Sequence, residues 1–198
     1  KIHASQIESV LNTGTDVEIV TGSPTSGPEG NITVNAPIHK TAGSDAKLTL
    51  KAWHNIVVNQ DIASTSGKLG FDFLSASDDK NGGGYIRVNA VHLNTNGGNL
   101  LLHGGTNRDG VDYASSSWDA AGILLNGTTI DTSGGSVILK GVTNHAGHGG
   151  VQLDGATITA GNTGTIQLVS RNDGGGDDLS MDSDSHLQAG RIVLAADK

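Results

Sequence analysis

The stretch Asn31-Ile32-Thr33-Val34-Asn35-Ala36-Pro37-Ile38 decides how this chain is read. Apolar and polar residues alternate from Ile32 to Val34, as they do along a strand with one buried face, and then an amide stops the run until Ile38. Such an amide serves either chemistry or shape. A catalytic group is needed once, whereas a shape device is needed wherever the shape recurs, so the question becomes whether Asn35 is alone.

It is not alone. The tetrad apolar, any residue, apolar, Asn/Asp returns as Ile56-Val57-Val58-Asn59, Ile86-Arg87-Val88-Asn89, Ile123-Leu124-Leu125-Asn126, Val151-Gln152-Leu153-Asp154 and Leu179-Ser180-Met181-Asp182. Successive tetrads begin 24, 30, 37, 28 and 28 residues apart. A lone aliphatic follows each one: Ile38, Ile62, Leu93, Ile130, Ile158 and Leu187. After a Gly- or Ser-bearing turn comes a third apolar segment: Leu48-Leu50, Leu69-Phe71, Leu100-Leu102, Val137-Leu139, Ile166-Leu168 and Ile192-Leu194.

Each repeat therefore holds three short strands and three bends. Strands this short are unstable by themselves, and stacking one repeat on the next buries what a single repeat cannot. The pattern predicts an all-β fold, a parallel β-helix solenoid of about six coils with three short strands per coil. Extra length falls after the third segment, at residues 75–84, 103–121, 142–150 and 170–178, so these loops are expected to leave one edge of the solenoid. Asn35, Asn59, Asn89 and Asn126, continued by Asp154 and Asp182, are expected to form a structural ladder at the corner. Short polar side chains tolerate the left-handed backbone of a sharp bend and bond the backbone locally. On that reading Asn35 is inward or edge-buried.

Residues 1–29 read as a separate N-terminal piece. Ser5 and Glu8 have capping-box spacing, Ile7, Val10 and Leu11 share a face, and Gly14 follows as a stop, which predicts a short helix over 5–12 and then a strand at Val17–Val20. The helix either covers the open end of the first coil or is an insertion between coils. Residues 30–198 hold the repeats. The absence of an opening signal peptide and the strand-like close at residues 191–198 read as a fragment of a longer chain.

Composition excludes several classes. With 30 Gly, 3% aromatic and 16% charged residues, helices cannot dominate. A net charge of −8 with Lys and Arg scattered singly provides no basic stripe for phosphates, so neither nucleic acid nor an acidic membrane surface is an expected partner. No apolar run approaches the roughly 20 residues of a membrane span, and membrane insertion is not expected. There is no cysteine, which removes thiol catalysis and thiolate metal sites.

The runs ASQIESVLNTGTDVEIVTG, residues 4–22, and GNITVNAPIHKTAGSDAKLTLKAWHNIVVNQDIASTSGKL, residues 30–69, resemble the repeats of filamentous-haemagglutinin-like exoproteins of Gram-negative two-partner secretion, in particular the high-molecular-weight adhesin branch. The resemblance implies a right-handed parallel β-helix shaft, exported through a dedicated outer-membrane transporter and displayed or released at the cell surface to attach to a host-cell receptor or glycan. The family's secretion domain carries NPNL- and NPNG-type motifs, whereas this chain has no Asn-Pro, so the resemblance points to a segment downstream of that domain.

Candidate sites are few. Asn144-His145-Ala146-Gly147-His148 offers two local histidines, with His103 at the corresponding bend one repeat earlier, short of the three supported ligands a mononuclear site needs. The loop Asn172–Asp178 is acidic and Gly-rich but matches neither the calcium nonapeptide nor an EF-hand. Asp78-Asp79 and Asp177-Asp178 are the carboxylate pairs, and neighbours on a turn point apart rather than across a cleft. No catalytic residue, metal site or cofactor is expected, and the chain does not read as an enzyme. Arg108, Tyr113 and Trp118 in the longest loop form an aromatic-plus-Arg set suited to recognition. Asn31 and Asn126 stand in Asn-x-Thr sequons open in principle to glycosylation. Two other functions fit the pattern: a polysaccharide-binding or polysaccharide-cleaving β-helix, and an inert structural spacer.

Overall fold

The structure, a computed structural model, describes residues 1–22, 30–76, 84–105, 113–116 and 121–196. One helix, α1 (Ala4–Leu11), precedes β1 (Val17–Val20). Then follow β2 (Ile32–Val34), β3 (Ile38–Lys40), β4 (Ala46–Lys51), β5 (Ile56–Val58), β6 (Ile62–Ser64), β7 (Leu69–Ser75), β8 (Ile86–Asn89), β9 (His92–Asn94) and β10 (Leu100–Gly104). The remainder comprises β11 (Ala114–Ser116), β12 (Ile123–Asn126), β13 (Thr129–Asp131), β14 (Val137–Thr143), β15 (Val151–Asp154), β16 (Thr157–Asn172), β17 (Leu179–Met181) and β18 (His186–Ala196).

Every strand pairing among the described residues is parallel, and no strand pairs with its neighbour in sequence. The six tetrads lie side by side in one sheet, in the order β17-β15-β12-β8-β5-β2. The second and third segments build a curled sheet running β1-β4-β7-β10-β14-β16-β13-β9-β6-β3, with β11 and β18 joined to it.

Register places like residues over like. Ile32, Ile56, Ile86, Ile123, Val151 and Leu179 form one column, and Val34, Val58, Val88, Leu125, Leu153 and Met181 the next. Ile38, Ile62, Leu93, Ile130, Ile158 and Leu187 form a third. Most of these side chains are fully buried and belong to a single apolar core. Alternation at period two explains why: one residue in two along each strand turns inward, and parallel pairing in register sets its equivalents above and below it.

The structure corrects three readings of the sequence. In the third segment Leu48 and Leu50 pair with Phe71 and Phe73, not with Leu69 and Phe71, and Leu69 instead faces Ala46. The alternating run from Leu69 to Ser75 permits either register with the same face buried, and the length of the preceding bend decides between them. The later repeats also lack three separate short strands, since β16 runs unbroken over Thr157–Asn172, with register irregularities around Gly161 against β18. Finally, α1 is entered at His3 rather than Ser5. Gln6 Oε1 reaches back to the His3 N–H at 3.1 Å, which frees Glu8 for a bond to another element. Ile7 and Leu11 are buried beneath the helix, Val10 is partly exposed, and Gly14 ends the segment at φ +77°.

A column of this kind is most sensitive at its middle. Ile86→Ala, at a position with no exposed surface, is expected to cost about 2–5 kcal/mol. Ile192→Ala, at the half-exposed last strand, is expected to cost a small fraction of that. Urea unfolding of the two variants checks the contrast, and equal losses would contradict it.

Candidate functional site

The recurrent corner holds most of the candidate residues. Asn59 Nδ2 donates to Asn35 Oδ1 at 3.1 Å, and Asn89 Nδ2 donates to Asn59 Oδ1 at 2.9 Å. Among the described residues the amide-to-amide bonds run no further than Asn89. Beyond it the backbone takes over: Ala90 N–H donates to Asn126 O and Gly127 N–H to Asp154 O, both at 2.7 Å, while Gly155 N–H donates to Asp182 Oδ2 at 2.8 Å. Asp182 Oδ1 also accepts the Ser185 hydroxyl, and these bonds hold its carboxyl below the ordinary value, that from Ser185 foremost.

Two expectations about this corner change. Asn35 is exposed, not inward or edge-buried. The left-handed residue of the bend is the one after the Asn or Asp, at Ala90, Gly127 and Gly155, with φ of 50°, 57° and 59°. Where Ala36 and Gln60 follow instead, no positive φ occurs, and the side-chain ladder spans the gap.

A second ladder, on a position the sequence reading passed over, closes the next corner. Lys40, Ser64, Thr95 and Thr132 lie two residues after the lone aliphatics, inward and fully buried or nearly so. Lys40 Nζ donates to the carbonyls of Ala42 at 2.7 Å, Gly43 at 3.1 Å and Ser66. Three donors meet three acceptors, which is what an ammonium without water requires. Ser64 Oγ donates to the Ser66 and Gly67 carbonyls, Thr95 Oγ1 to Gly98 O at 2.6 Å, and Thr132 Oγ1 to Gly135 O at 2.5 Å. Gly67 sits here at φ +67°, where an added Cβ would fall 2.7 Å from the Ser44 backbone. The aliphatic-x-Lys/Ser/Thr spacing was the available signal.

Of the predicted recognition set only Tyr113 lies within the described residues. Arg108 and Trp118 lie outside the described residues, as do Asp78 and Asp79. Tyr113 is buried, with the Arg171 guanidinium 5.7 Å from its ring centre, so its ring packs instead of lining a rim. Both sequon asparagines are exposed. Asn31 Oδ1 accepts the Asn55 N–H at 3.0 Å, and Asn55 Oδ1 in turn accepts the Tyr85 N–H. Thr128 of the second sequon is buried, its hydroxyl donating to Val88 O at 2.9 Å.

The loop histidines pack together, rings 5.1 Å apart. His145 Nδ1 accepts the Gly147 N–H and His148 Nδ1 meets Gln152 Oε1, while Asn172 Nδ2 donates to the carbonyls of both histidines. Asp178 Oδ1 accepts the Asn172 N–H at 2.7 Å. Among the described residues no group of three or more His, Asp or Glu is placed to hold a metal ion, and no helix is long and apolar enough to cross a membrane.

Two outward pairs were not anticipated. His103 is buried on the outer side of β10, its Nε2 2.9 Å from Asp72 Oδ1, with Lys47 Nζ 3.9 Å from the other oxygen. The hydrogen bond from His103, with the charges of His103 and the nearby lysines, holds the Asp72 carboxyl below its ordinary value against the opposing effect of burial. On β8 the Arg87 guanidinium stacks over the Tyr85 ring at 4.4 Å, and among the described residues no carboxylate meets it. No family model, curated protein or solved structure matches the chain.

Two tests follow from these contacts. Lys40→Met is expected to cost about 1–3 kcal/mol for each carbonyl left without a donor, a loss that urea unfolding at neutral pH will read. Asp72, with its folded pKa depressed, contributes stability that is present above its ordinary value of 3.8 and lost as pH falls through the folded value. The stability gap between wild type and Asp72→Asn should therefore close on acidification below that ordinary value. A gap that persists unchanged would show that the charge is irrelevant.

Proposed function

We propose that the chain is part of the shaft of a large secreted surface adhesin of a Gram-negative bacterium, exported by two-partner secretion through an outer-membrane transporter. On this reading it is a right-handed parallel β-helix of about six coils that presents side loops to a host-cell receptor or glycan, and it is not an enzyme. The observation that carries the reading is the use made of the recurrent polar residues. Asn35, Asn59, Asn89, Lys40, Ser64, Thr95 and Thr132 are all engaged in holding corners or neighbouring repeats. A chain whose repeated polar positions serve stacking is suited to a mechanical role, and nearest-neighbour stacking lets coils fold one after another as they emerge from a pore.

A polysaccharide-binding β-helix is the second reading, and the Tyr85–Arg87 stack favours it. A guanidinium fixed on an aromatic face, with no acidic partner among the described residues, is suited to a carboxylate-bearing sugar.

One set of variants separates these readings from an inert spacer. The ends of the segment 106–112 adjoin, since a Cβ on Gly104 would fall 1.9 Å from the Tyr113 carbonyl oxygen. The segment is therefore replaceable by a short Gly-Ser link, combined with Trp118→Ala. Loss of attachment to host cells in that variant supports loop-borne adhesion. Loss of binding on an acidic glycan array in Arg87→Ala alone supports the second reading. Attachment and glycan binding left intact in both variants would sink both.

A further inference from the structure

Asn-Gly dipeptides stand in the sequence at Asn81, Asn96 and Asn126, and the first lies outside the described residues. Such a dipeptide is chemically self-reactive. The Gly nitrogen, once it has lost its proton to solvent, attacks the Asn Cγ. The new N–Cγ bond displaces the side-chain nitrogen as ammonia and closes a succinimide ring. Water then opens the ring at either carbonyl, which leaves Asp or isoaspartate. The reaction needs an Asn side chain free to turn and a Gly N–H free to give up its proton.

The two described dipeptides are held differently. Asn96 Nδ2 donates to Gly67 O at 3.1 Å and Gly97 N–H donates to Thr132 O at 2.9 Å, so both reacting groups are tied to neighbouring repeats. At Asn126 only the nitrogen that would attack is tied. Gly127 N–H donates to Asp154 O at 2.7 Å, at the end of the β12–β15 pairing. The Asn126 side chain is exposed and carries no hydrogen bond, because the amide ladder that engages Asn35, Asn59 and Asn89 stops short of it.

We infer that Asn126-Gly127 is a latent self-modification site, held unreactive by the Asp154 carbonyl and released when β15 separates from β12. Water is the co-reactant, and no other is required. The products oppose restacking. Isoaspartate adds a carbon to the main chain where β12 ends, which moves the Gly127 N–H off the Asp154 carbonyl. Asp at the same place sets a carboxylate in register against Asp154, and like charges directly opposite one another are destabilising. A separation long enough for reaction is therefore recorded covalently and made harder to reverse. Both products also lack the side-chain nitrogen that the sequon at Asn126 would offer for glycosylation. The inference goes beyond the shaft reading and does not depend on it.

Incubation of the intact chain at mildly alkaline pH, in buffer and in denaturing urea, tests this. Peptide mass spectrometry reads conversion at each Asn, and amide exchange at Gly127 is followed in parallel. In urea both Asn96 and Asn126 are expected to convert. In buffer Asn126 should convert about tenfold or more slowly than in urea, in step with the protection of the Gly127 amide, and Asn96 more slowly still. Leu153→Ala, which empties a fully buried position on β15, should raise conversion at Asn126 several-fold and that at Asn96 by less. Where that variant fails to fold, wild type in sub-denaturing urea takes its place, and conversion at Asn126 should climb together with Gly127 exchange. Converted chain returned to buffer should unfold at a lower urea concentration than unconverted chain. Asn126 that converts as fast in buffer as in urea, that stays intact in urea, or whose rate ignores Gly127 exchange would overturn the inference. So would Asn96 converting first in buffer, or equal urea midpoints before and after conversion.

Discussion

Parallel hydrogen bonding between a strand and its equivalent in the next repeat is the constraint from which the rest follows. Because each tetrad pairs in register with the tetrad before it, an inward aliphatic always meets an inward aliphatic, and the core is a set of columns. Nothing in that arrangement fixes the length of chain between one strand and the next equivalent strand. Spacings of 24 to 37 residues are accommodated because the surplus leaves from the ends of β7, β10, β14 and β16, which lie along one edge.

The same constraint makes the corners the costly places. A bend between inward-facing strands brings backbone carbonyls close to an apolar interior, where an unpaired polar group is expensive. The chain answers in three ways: a side-chain amide ladder at Asn35, Asn59 and Asn89, a left-handed residue that bonds the next repeat at Ala90, Gly127 and Gly155, and an inward ammonium or hydroxyl at Lys40, Ser64, Thr95 and Thr132. Ala160 stands where the last of these would be, and there the strand runs on through the bend as β16. The amide that interrupts the first tetrad belongs to this set of solutions, which accounts for its recurrence without any appeal to chemistry.

What was legible in the sequence was whatever the period-two pattern repeats. The tetrads and the lone aliphatics each recur with the same partners in space, so counting along the chain was enough to place them. The third segment was less legible, because Leu69 to Ser75 alternates for long enough to offer two registers that bury the same face. Lys40 was illegible for a different reason. Lysine is ordinarily a surface residue, and only the carbonyls of Ala42, Gly43 and Ser66 converging on one point make it an interior one. Tyr113 likewise read as a recognition residue from its company in the loop, yet its ring is buried against Arg171. Proximity in sequence carries no information about which aromatic of a long loop folds back.

The outward positions obey none of these rules, and the contrast locates where any recognition must be carried. Leu50, Phe73, Leu102, Leu139 and Leu168 form an inward column that never changes character. The outward column beside it reads Thr49, Asp72, Leu101, Ile138, Gln167, and on the tetrad sheet Thr33, Val57, Arg87, Leu124, Gln152. Stacking places no demand on these residues, so a group such as Arg87 on Tyr85, or His103 against Asp72, is present once and has no equivalent above or below it. In a stacked protein repetition marks structure, and a residue that breaks the repetition on an outward face is the one whose presence the stack itself does not explain.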